Sequence, residues 1–571
     1  MTGIGRNKME LDLSFNGKIE RKYVTLFNRI AKNTIVGYNE LIESISNKNR
    51  KNIDWWMSSI SSRNTFSSTL FHYLSCLVFV KYLLEHGEKI SRIGTDSRAF
   101  QRIVQRYLNF EGMKIKVTLN LSLREKAKVF IKPFYYAFFI PLKFLLQYIL
   151  TPNKRIHIKK PPSFPLILID TFILPEFIDC DRYYPSLLEF IDKDELEKVF
   201  FVPFLYGFNI SGYYVAIKEL RKKSNLIFKE DFLKLKDYLY AWCYIFRINK
   251  IKIGKYHFDC FDVTSLIREE LLVLRGYYAT FAGLLNFCFA KRLKKAGIKV
   301  KLIINWFENQ STDKGFNAGF RRYYPNVKCK GYQGWITSPY FLCIYPTKEE
   351  KKAKVIPHQV AVIGSGFIEP VRKFCPDLDV RVAPAFRFQG VWKKRRCYPD
   401  KDIFRVLIGL PIMLDESRHI LSLTALAANM SNDSVHYWIK PHPAVSPVSF
   451  KKILGTQWPE KFEIITGDFN EWVEKSNLLI SSASSICLET IAKGIPVIVV
   501  GNQFGLTHNP IPESVDTDIY RICFNAEEIG ETIEYYKDKS NREFVLAGRK
   551  TRKAYFEPLT QEGIDSFLEL V

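Results

Sequence analysis

Two short stretches in the C-terminal third carry residue types suited to holding an anion. In YWIKPHP an apolar run ends in Lys440 and His442, with Pro441 and Pro443 fixing the backbone on both sides of the imidazole. A pre-set imidazole beside an ammonium can donate to a phosphate at little ordering cost; the bland alternative is a histidine capping a turn. In LLISSASSICLET a second apolar run leads into Ser481, Ser482, Ser484 and Ser485 just before a helical stretch. Serines at a helix start satisfy orphan N–H groups, and with those groups they form an anion site. Capping accounts for one or two of them. Four, on the same expected sheet edge as His442, point to phosphate or ribose, and Glu489 one turn further on is placed either for sugar hydroxyls or for solvent.

Other stretches offer partners for such an anion. GLPIMLDESRHI puts Asp415 and Glu416 in a first helical turn and Arg418 where it could reach a leaving phosphate, with plain capping as the alternative for the acids. The loop GNQFGLTHNPIP brings Asn502, Gln503 and His508 to the same end of the domain. Earlier in the chain, LIINWFENQ delivers Trp306, Glu308, Asn309 and Gln310 to the end of a buried strand. Glu308 is the first choice for a general base, the alternative being an ion pair with Arg321 or Arg322. Tyr332, Gln333 and Trp335 follow the next strand and suit stacking and hydrogen bonding to a sugar. NIDWWMSSISSRN gathers Asp54, Trp55, Trp56, Arg63 and Asn64, a polar and aromatic cluster that reads as carbohydrate-binding or as packing; Asp54 is the reserve base and Asp96 a third. The turn GSG at Gly364–Gly366 is not a GxGxxG, which disfavours a dinucleotide cofactor.

KPHP together with SSASSICLETIAKGIPVI resembles the nucleotide-binding half of GT-B glycosyltransferases that make bacterial surface polysaccharides. It is especially similar to the sialyl- and Kdo-type transferases, which share an HP motif and a paired-serine motif for the CMP of a CMP-activated ulosonic acid. The resemblance covers mainly residues 403–530. It implies that His442 and the four serines hold nucleotide phosphate and ribose with Glu489 nearby. It further implies a metal-independent, inverting transfer from a CMP-linked donor to a lipid-linked glycan of O-antigen or capsule, at the inner face of the cytoplasmic membrane. Trp55, Trp56, Arg63, Asn309, Gln310 and Gln333 are then the acceptor-side candidates, and no cofactor or metal is needed. A CDP-polyol phosphotransferase of teichoic-acid type and a UDP- or GDP-hexose transferase share that layout and stand as alternatives.

These residues need strands to deliver them, and the chain supplies strands in two series. Short apolar runs alternate with amphipathic stretches, the signature of βαβ units around parallel sheets. NTIVGY, ISRIGTD, MKIKVTLN, PLILIDTFI, KVFFVPFLY, VKLIINWF, NVKCKGYQ and QVAVIGSG read as strands of a first unit, with one long helix predicted over TSLIREELLVLRGYYATFAGLLNFCFAKRLKKAG. FRVLIGL, VHYWIK, FEIITG, NLLISS, IPVIVVG and IYRICF read as strands of a second, after the basic linker near residues 392–402. The expectation is an α/β chain with two Rossmann-like, doubly wound domains, 1–395 and 402–571, facing across a cleft. The first carries an insertion at about 124–160, whose kinked, aromatic, lysine-flanked run is either a membrane-interfacial element or a core helix pair.

With 571 residues, 47% hydrophobic and 25% charged, the chain is globular and large enough for two domains or more. The excess of 84 Lys and Arg over 59 Asp and Glu, +25, suits phosphates or an anionic membrane. No interleaved basic and aromatic motif or basic recognition helix supports nucleic acid as the partner. The eleven cysteines show no CxxC pair, and the first thirty residues lack a signal-like apolar core, which together predict reduced thiols and a cytoplasmic protein.

Overall fold

Apolar runs without polar alternation, such as LILIDTFI and VIVV, suit strands covered on both faces, and they form the centres of two parallel sheets. The computed structural model describes residues 9–151, 164–274, 276–393, 403–430, 435–442, 445 and 458–570. A small parallel sheet comes first, β1 (Met9–Asp12), β2 (Ile90–Thr95) and β3 (Lys116–Leu119), set among helices. The first large sheet contains β4 (Leu166–Ile173), β5 (Val199–Leu205), β8 (Val300–Trp306), β9 (Lys328–Gln333), β10 (Gln359–Val362) and β11 (Asp379–Val382). Its order is β11-β10-β9-β8-β4-β5, all parallel, and a two-stranded hairpin of β6 (His257–Phe258) and β7 (Phe261–Asp262) stands apart from it.

The second large sheet has β12 (Phe404–Gly409), β13 (Val435–Lys440), β14 (Phe462–Ile464), β15 (Leu478–Ser481), β16 (Val497–Val500) and β17 (Tyr520–Cys523). Its order, β14-β13-β12-β15-β16-β17, is the 3-2-1-4-5-6 of a dinucleotide-fold sheet. Two doubly wound units in series give the GT-B layout expected from the sequence. Each sheet has one switch point, between β4 and β8 in the first and between β12 and β15 in the second.

Several elements differ from the sequence reading. NTIVGY lies inside the helix Arg21–Lys48, whose buried Phe27, Ile30, Ala31, Thr34, Ile35, Tyr38, Leu41, Ile42 and Ile45 follow a helical period. Tertiary packing of that face overrides the β-branched preference of Thr34, Ile35 and Val36. The long helix expected after Thr264 is two, Thr264–Leu272 and Tyr277–Lys295, parted at Gly276, whose φ of 69° is left-handed. The second of them crosses the helix Ser311–Tyr323 so closely that a Cβ on Gly315 would stand 1.9 Å from the Gly283 carbonyl oxygen. Strands β1 and β11 carry too few apolar residues to stand out in the sequence.

The C-terminal tail crosses between the two units. Glu557 donates its N–H to Ile363 (2.7 Å) and accepts one from Ala385 (3.0 Å), while Lys330 donates to the carbonyls of Ser566 and Phe567 (2.9 Å each). The helix Val545–Tyr555 packs on the second unit at Gly548 and reaches the first at Tyr555, and the chain beyond it, with the helix Gln561–Leu568, returns to the first unit. This also explains the GSG turn: a Cβ on Gly364 would meet the Tyr555 backbone at 2.4 Å, so the glycine serves helix packing.

The loop after β16 has a different task from the one its composition suggested. Ile19 N–H donates to Phe504 O (2.9 Å), Asn28 Nδ2 donates to Gly505 O (3.0 Å), and Thr507 N–H donates to Asn28 Oδ1 (2.8 Å). His508 is stacked on Phe66 at 5.0 Å and edge-on to Tyr340, and Gln503 donates to the Phe524 carbonyl. Burial pushes the His508 ring down to about 4, so it docks as a neutral aromatic. Phe504, Gly505, Thr507 and His508 thus clasp the second unit to the first, while Asn502 and Gln503 hold the loop to its own unit.

Candidate functional site

Strands β13, β12 and β15 are neighbours in register, with Gly409 opposite Lys440 and Ile408 opposite Ile480. Because all three run parallel, Lys440 and His442 leave the sheet on one side of Gly409 and the serines on the other, at the same carboxyl edge. The two stretches singled out in the sequence therefore flank the switch point of the second sheet; Pro443 lies outside the described residues. Gly409 allows the approach, since a Cβ there would stand 2.4 Å from Ile486 Cδ1.

The four serines divide their tasks. Ser481 is buried and donates to the Gly409 carbonyl (2.8 Å), a bond that ties β15 to β12. Ser485 donates to Glu489 Oε1 (2.9 Å). Ser484 is half-buried at the turn, and the buried Ser482 hydroxyl has no hydrogen-bond partner among the described residues. The helix that follows, Ile486–Ala492, is seven residues long. Arg418 is exposed and pairs with Asp415 at 2.9 Å on the surface of the helix Leu414–Met430; a phosphate contact would require it to leave that pair.

From the first sheet, β8 delivers Glu308 and β4 delivers the loop carrying Glu176, Arg182 and Tyr183, so both arise at that sheet's switch point. Glu308 is half-buried, and it pairs with neither Arg321 nor Arg322. Trp306 Nε1 donates to one carboxylate oxygen (3.0 Å) and Gln310 Nε2 to the other (2.5 Å). Gln310 is itself held by Asn64 Nδ2 at 2.9 Å. Burial pushes the Glu308 carboxyl above its usual range, against the pull of those two bonds and of the Arg387 charge.

Arg387 stands outside every motif that marks the other candidates. It lies in the 3₁₀ turn Phe386–Trp392 that leads out of the first sheet, in PAFRFQGVW, a stretch with no motif or charge pattern. Its guanidinium stands 5.8 Å from the ring centres of both Tyr183 and Trp306. Among the described residues it has no hydrogen bond and no ion pair. Burial is the main influence that disfavours its charge, with Arg182 adding to it, while Glu489 is one of the groups that oppose them. Burial likewise pushes the Glu489 carboxyl up, against the Ser485 bond and the Arg387 charge. Arg182, over the Phe177 ring at 4.9 Å, is also without an ion pair among the described residues. Burial lowers the His442 pKa, the Arg182 charge lowers it further, and Glu176 opposes both. Charges from the two units thus act on one another across the cleft: Arg182 and Glu176 on His442, and Arg387 on Glu489, with Glu308 beside Arg387 on the first side.

The remaining candidates are committed elsewhere. Asp54 accepts two bonds from Arg247 (2.9 and 2.8 Å), which leaves it no free oxygen for a reserve base. Trp55 and Trp56 are 0% and 2% exposed and belong to the first core, so they are packing residues. Arg63 is buried against Glu350 (2.9 and 3.0 Å), which Lys314 (2.8 Å) and Asn309 (3.0 Å) also hold. Burial would push Glu350 up, but Arg63 and Lys314 outweigh it and hold the carboxyl below its usual range. Asn309 is fully buried with φ 57°, and Gln333 donates to Ile344 O (3.0 Å). These contacts place Trp55, Trp56, Arg63, Asn309 and Gln333 beneath the site as its support; Gln310 alone of the acceptor candidates reaches Glu308. Tyr332 is buried and donates to Pro384 O (2.7 Å), and Asp96 accepts from Phe15 N–H (3.1 Å) and from Tyr73.

No known family profile matches the chain, and no curated protein does. Among solved structures it is similar to Staphylococcus aureus MnaA with UDP, at 12% identity over 72% of this chain and 98% of that one (TM-score 0.41). It is similar also to Anabaena HepE in complex with UDP, at 10% identity over 71% and 99% (TM-score 0.41). Acinetobacter baumannii MurG follows at 10% identity over 71% and 100% (TM-score 0.38). At such identity and overlap, the chemistry of the cleft has to be read from its own side chains.

Proposed function

We propose that the chain is a glycosyltransferase of GT-B type acting on a nucleotide sugar. The observation that carries this reading is Arg387: a guanidinium without an ion partner among the described residues, held over aromatic rings on the cleft side of the first unit, beside a carboxylate whose proton affinity is raised. An uncompensated cation in such a place is suited to an anionic ligand, and open α/β sheets bind nucleotides at their switch points. Arg387, Arg182, the neutral His442 ring and the Ser482–Ser485 turn hold the donor phosphate. Lys440 stands at the same edge. Glu308, oriented by Trp306 and Gln310, takes the proton of the acceptor hydroxyl as its oxygen bonds to the anomeric carbon. The bond from that carbon to the phosphate oxygen breaks, and the nucleotide leaves with the electron pair. Direct displacement of this kind inverts the anomeric centre and needs no metal.

The donor we favour is a CMP-activated ulosonic acid, on the strength of KPHP and SSASS; its carboxylate and phosphate are two anions for two guanidinium groups. The acceptor is a lipid-linked glycan of O-antigen or capsule at the inner membrane surface. A UDP- or GDP-hexose donor is the second reading, since a diphosphate also presents two charges. Turnover of CMP-, UDP- and GDP-sugars with mass analysis of both products tests this: release of CMP with a product gaining an ulosonic acid supports it, release of UDP or GDP replaces the donor, and a product gaining phosphorus assigns a polyol phosphotransferase. No melting shift with any nucleotide sugar would overturn the whole reading.

A further inference from the structure

The helix Leu123–Leu150 is apolar on both sides, and among the described residues one side packs against the protein while the other is largely exposed. Phe144 packs at 4.9 Å from both Tyr278 and Phe281, and Tyr148 lies 4.8 Å from Tyr238, which fixes the inner face to the helices Leu235–Trp242 and Tyr277–Lys295. On the outer face Phe130, Phe134, Phe138, Phe139 and Ile149 are each more than half exposed. Neighbouring helices extend this surface: Val215 on Ile210–Leu220 and Leu235 at the start of Leu235–Trp242 are also more than half exposed, and Phe138 meets Trp242 edge-on at 6.3 Å. A solvated helix normally puts charge on such a face, and a contiguous apolar patch marks an interaction surface.

We infer that these three helices form one docking platform for an anionic phospholipid bilayer, lying in its interface. Charge complementarity selects this occupant: from Lys126 to Lys160 the sequence holds no Asp or Glu, while Lys126, Lys128, Lys132, Lys143, Lys154, Arg155, Lys159 and Lys160 are all basic. Lys132 and Lys143 lie over Tyr136 and Tyr278 at 5.6 and 5.4 Å, the posture of lysines whose stems cover apolar surface while their heads face headgroups. The segment Phe130–Leu150 is long and apolar enough to cross a membrane, but Pro133 and Pro141 sit inside it and leave carbonyls without helical donors. Water at the interface satisfies those carbonyls; hydrocarbon does not. Crossing would also strip the inner face from the helices it packs on. This inference deepens the membrane-bound acceptor of the proposed function, naming the surface that would bring the cleft to it.

Flotation of the full chain with vesicles of phosphatidylethanolamine and phosphatidylglycerol tests this, against vesicles of phosphatidylcholine alone. The chain is expected to float with the anionic vesicles and to be released by alkaline carbonate. The pair Phe138→Asp with Phe139→Asp, and separately Val215→Asp, should each weaken partitioning about tenfold or more. The single variant Phe139→Trp keeps the fold and should gain fluorescence quenched by bromine near the headgroup end of the acyl chains. Failure of the unaltered chain to float, equal flotation of the Asp variants, absence of quenching, resistance to carbonate, or a dimer that hides this face would each overturn the platform. Nucleotide-induced melting shifts are read on every variant: their retention while flotation is lost separates this surface from the cleft, and their absence alongside normal flotation counts against the cleft alone.

Discussion

Replacing Arg387 by Met separates a ligand-binding arginine from a structural one by the sign of two effects. Methionine keeps the unbranched stem that packs along Tyr183 and Trp306 and removes only the guanidinium. At 5.8 Å from the Tyr183 and Trp306 ring centres and 5.6 Å from that of Phe388, the cation–π attraction lost is about 0.5 kcal/mol per ring. Against this stands the cost of a half-buried cation beside Arg182 with no hydrogen bond or ion pair among the described residues, which disappears in the variant. The two nearly cancel, so the melting temperature should hold within about 2 °C. Hydrogen bonds from a cation to phosphate contribute about 1.5–3 kcal/mol, so affinity for the cognate nucleotide should fall about 10- to 150-fold by titration calorimetry. The lost charge also pulled on Glu308, whose proton affinity should rise further, moving the acid limb of the pH–rate profile to higher pH. Unchanged nucleotide affinity would refute the reasoning, and so would a melting point many degrees lower, which would make Arg387 part of the scaffold.

Other residues give independent checks. Glu308→Gln should cut kcat by about 100- to 10,000-fold with KM and melting unchanged, measured by product release; full activity would remove Glu308 as the base. Arg63→Met leaves Glu350 and Lys314 imperfectly paired in the interior and should cost about 3–5 kcal/mol in denaturant unfolding, whereas an acceptor-binding arginine would lose activity at constant stability. Burial raises Asp170 to about 7 from 3.8, so its contribution to stability is present below about pH 4 and is lost as pH rises through about 7. The wild-type melting temperature should therefore fall between about pH 5 and 8 by more than that of Asp170→Asn, and parallel pH profiles would count against it.

The sheet ends were readable in the sequence because a strand buried on both faces has to be apolar until it leaves the sheet. The first polar residues after runs such as HYWIK or LLIS therefore mark a carboxyl edge, which is what singles out His442, Ser482 and Glu308. Trp55, Trp56 and Arg63 misled for the converse reason: a tryptophan pair beside an arginine has the same composition in a sugar platform as in a core, and only the Glu350 partner, distant in sequence, tells them apart. Arg387 was missed because its meaning is not local. It stands in an ordinary turn and gains significance only when Glu308 and Glu489, 181 positions apart in the chain, are brought to either side of it. NTIVGY failed for a related reason, its strand-like composition being overruled by a helical face that extends well beyond it on both sides.

The two halves of the molecule are stitched together away from the reaction centre as well as through the connecting turn. The His508 loop hooks under the first long helix, and the tail beyond Tyr555 folds back onto the opposite half. Breathing between the halves must strain both stitches at once, which makes a wide hinge swing costly and leaves gating to local side-chain and loop adjustments. A donor–acceptor dye pair placed across the groove should accordingly report one narrow distance distribution, little altered by added nucleotide.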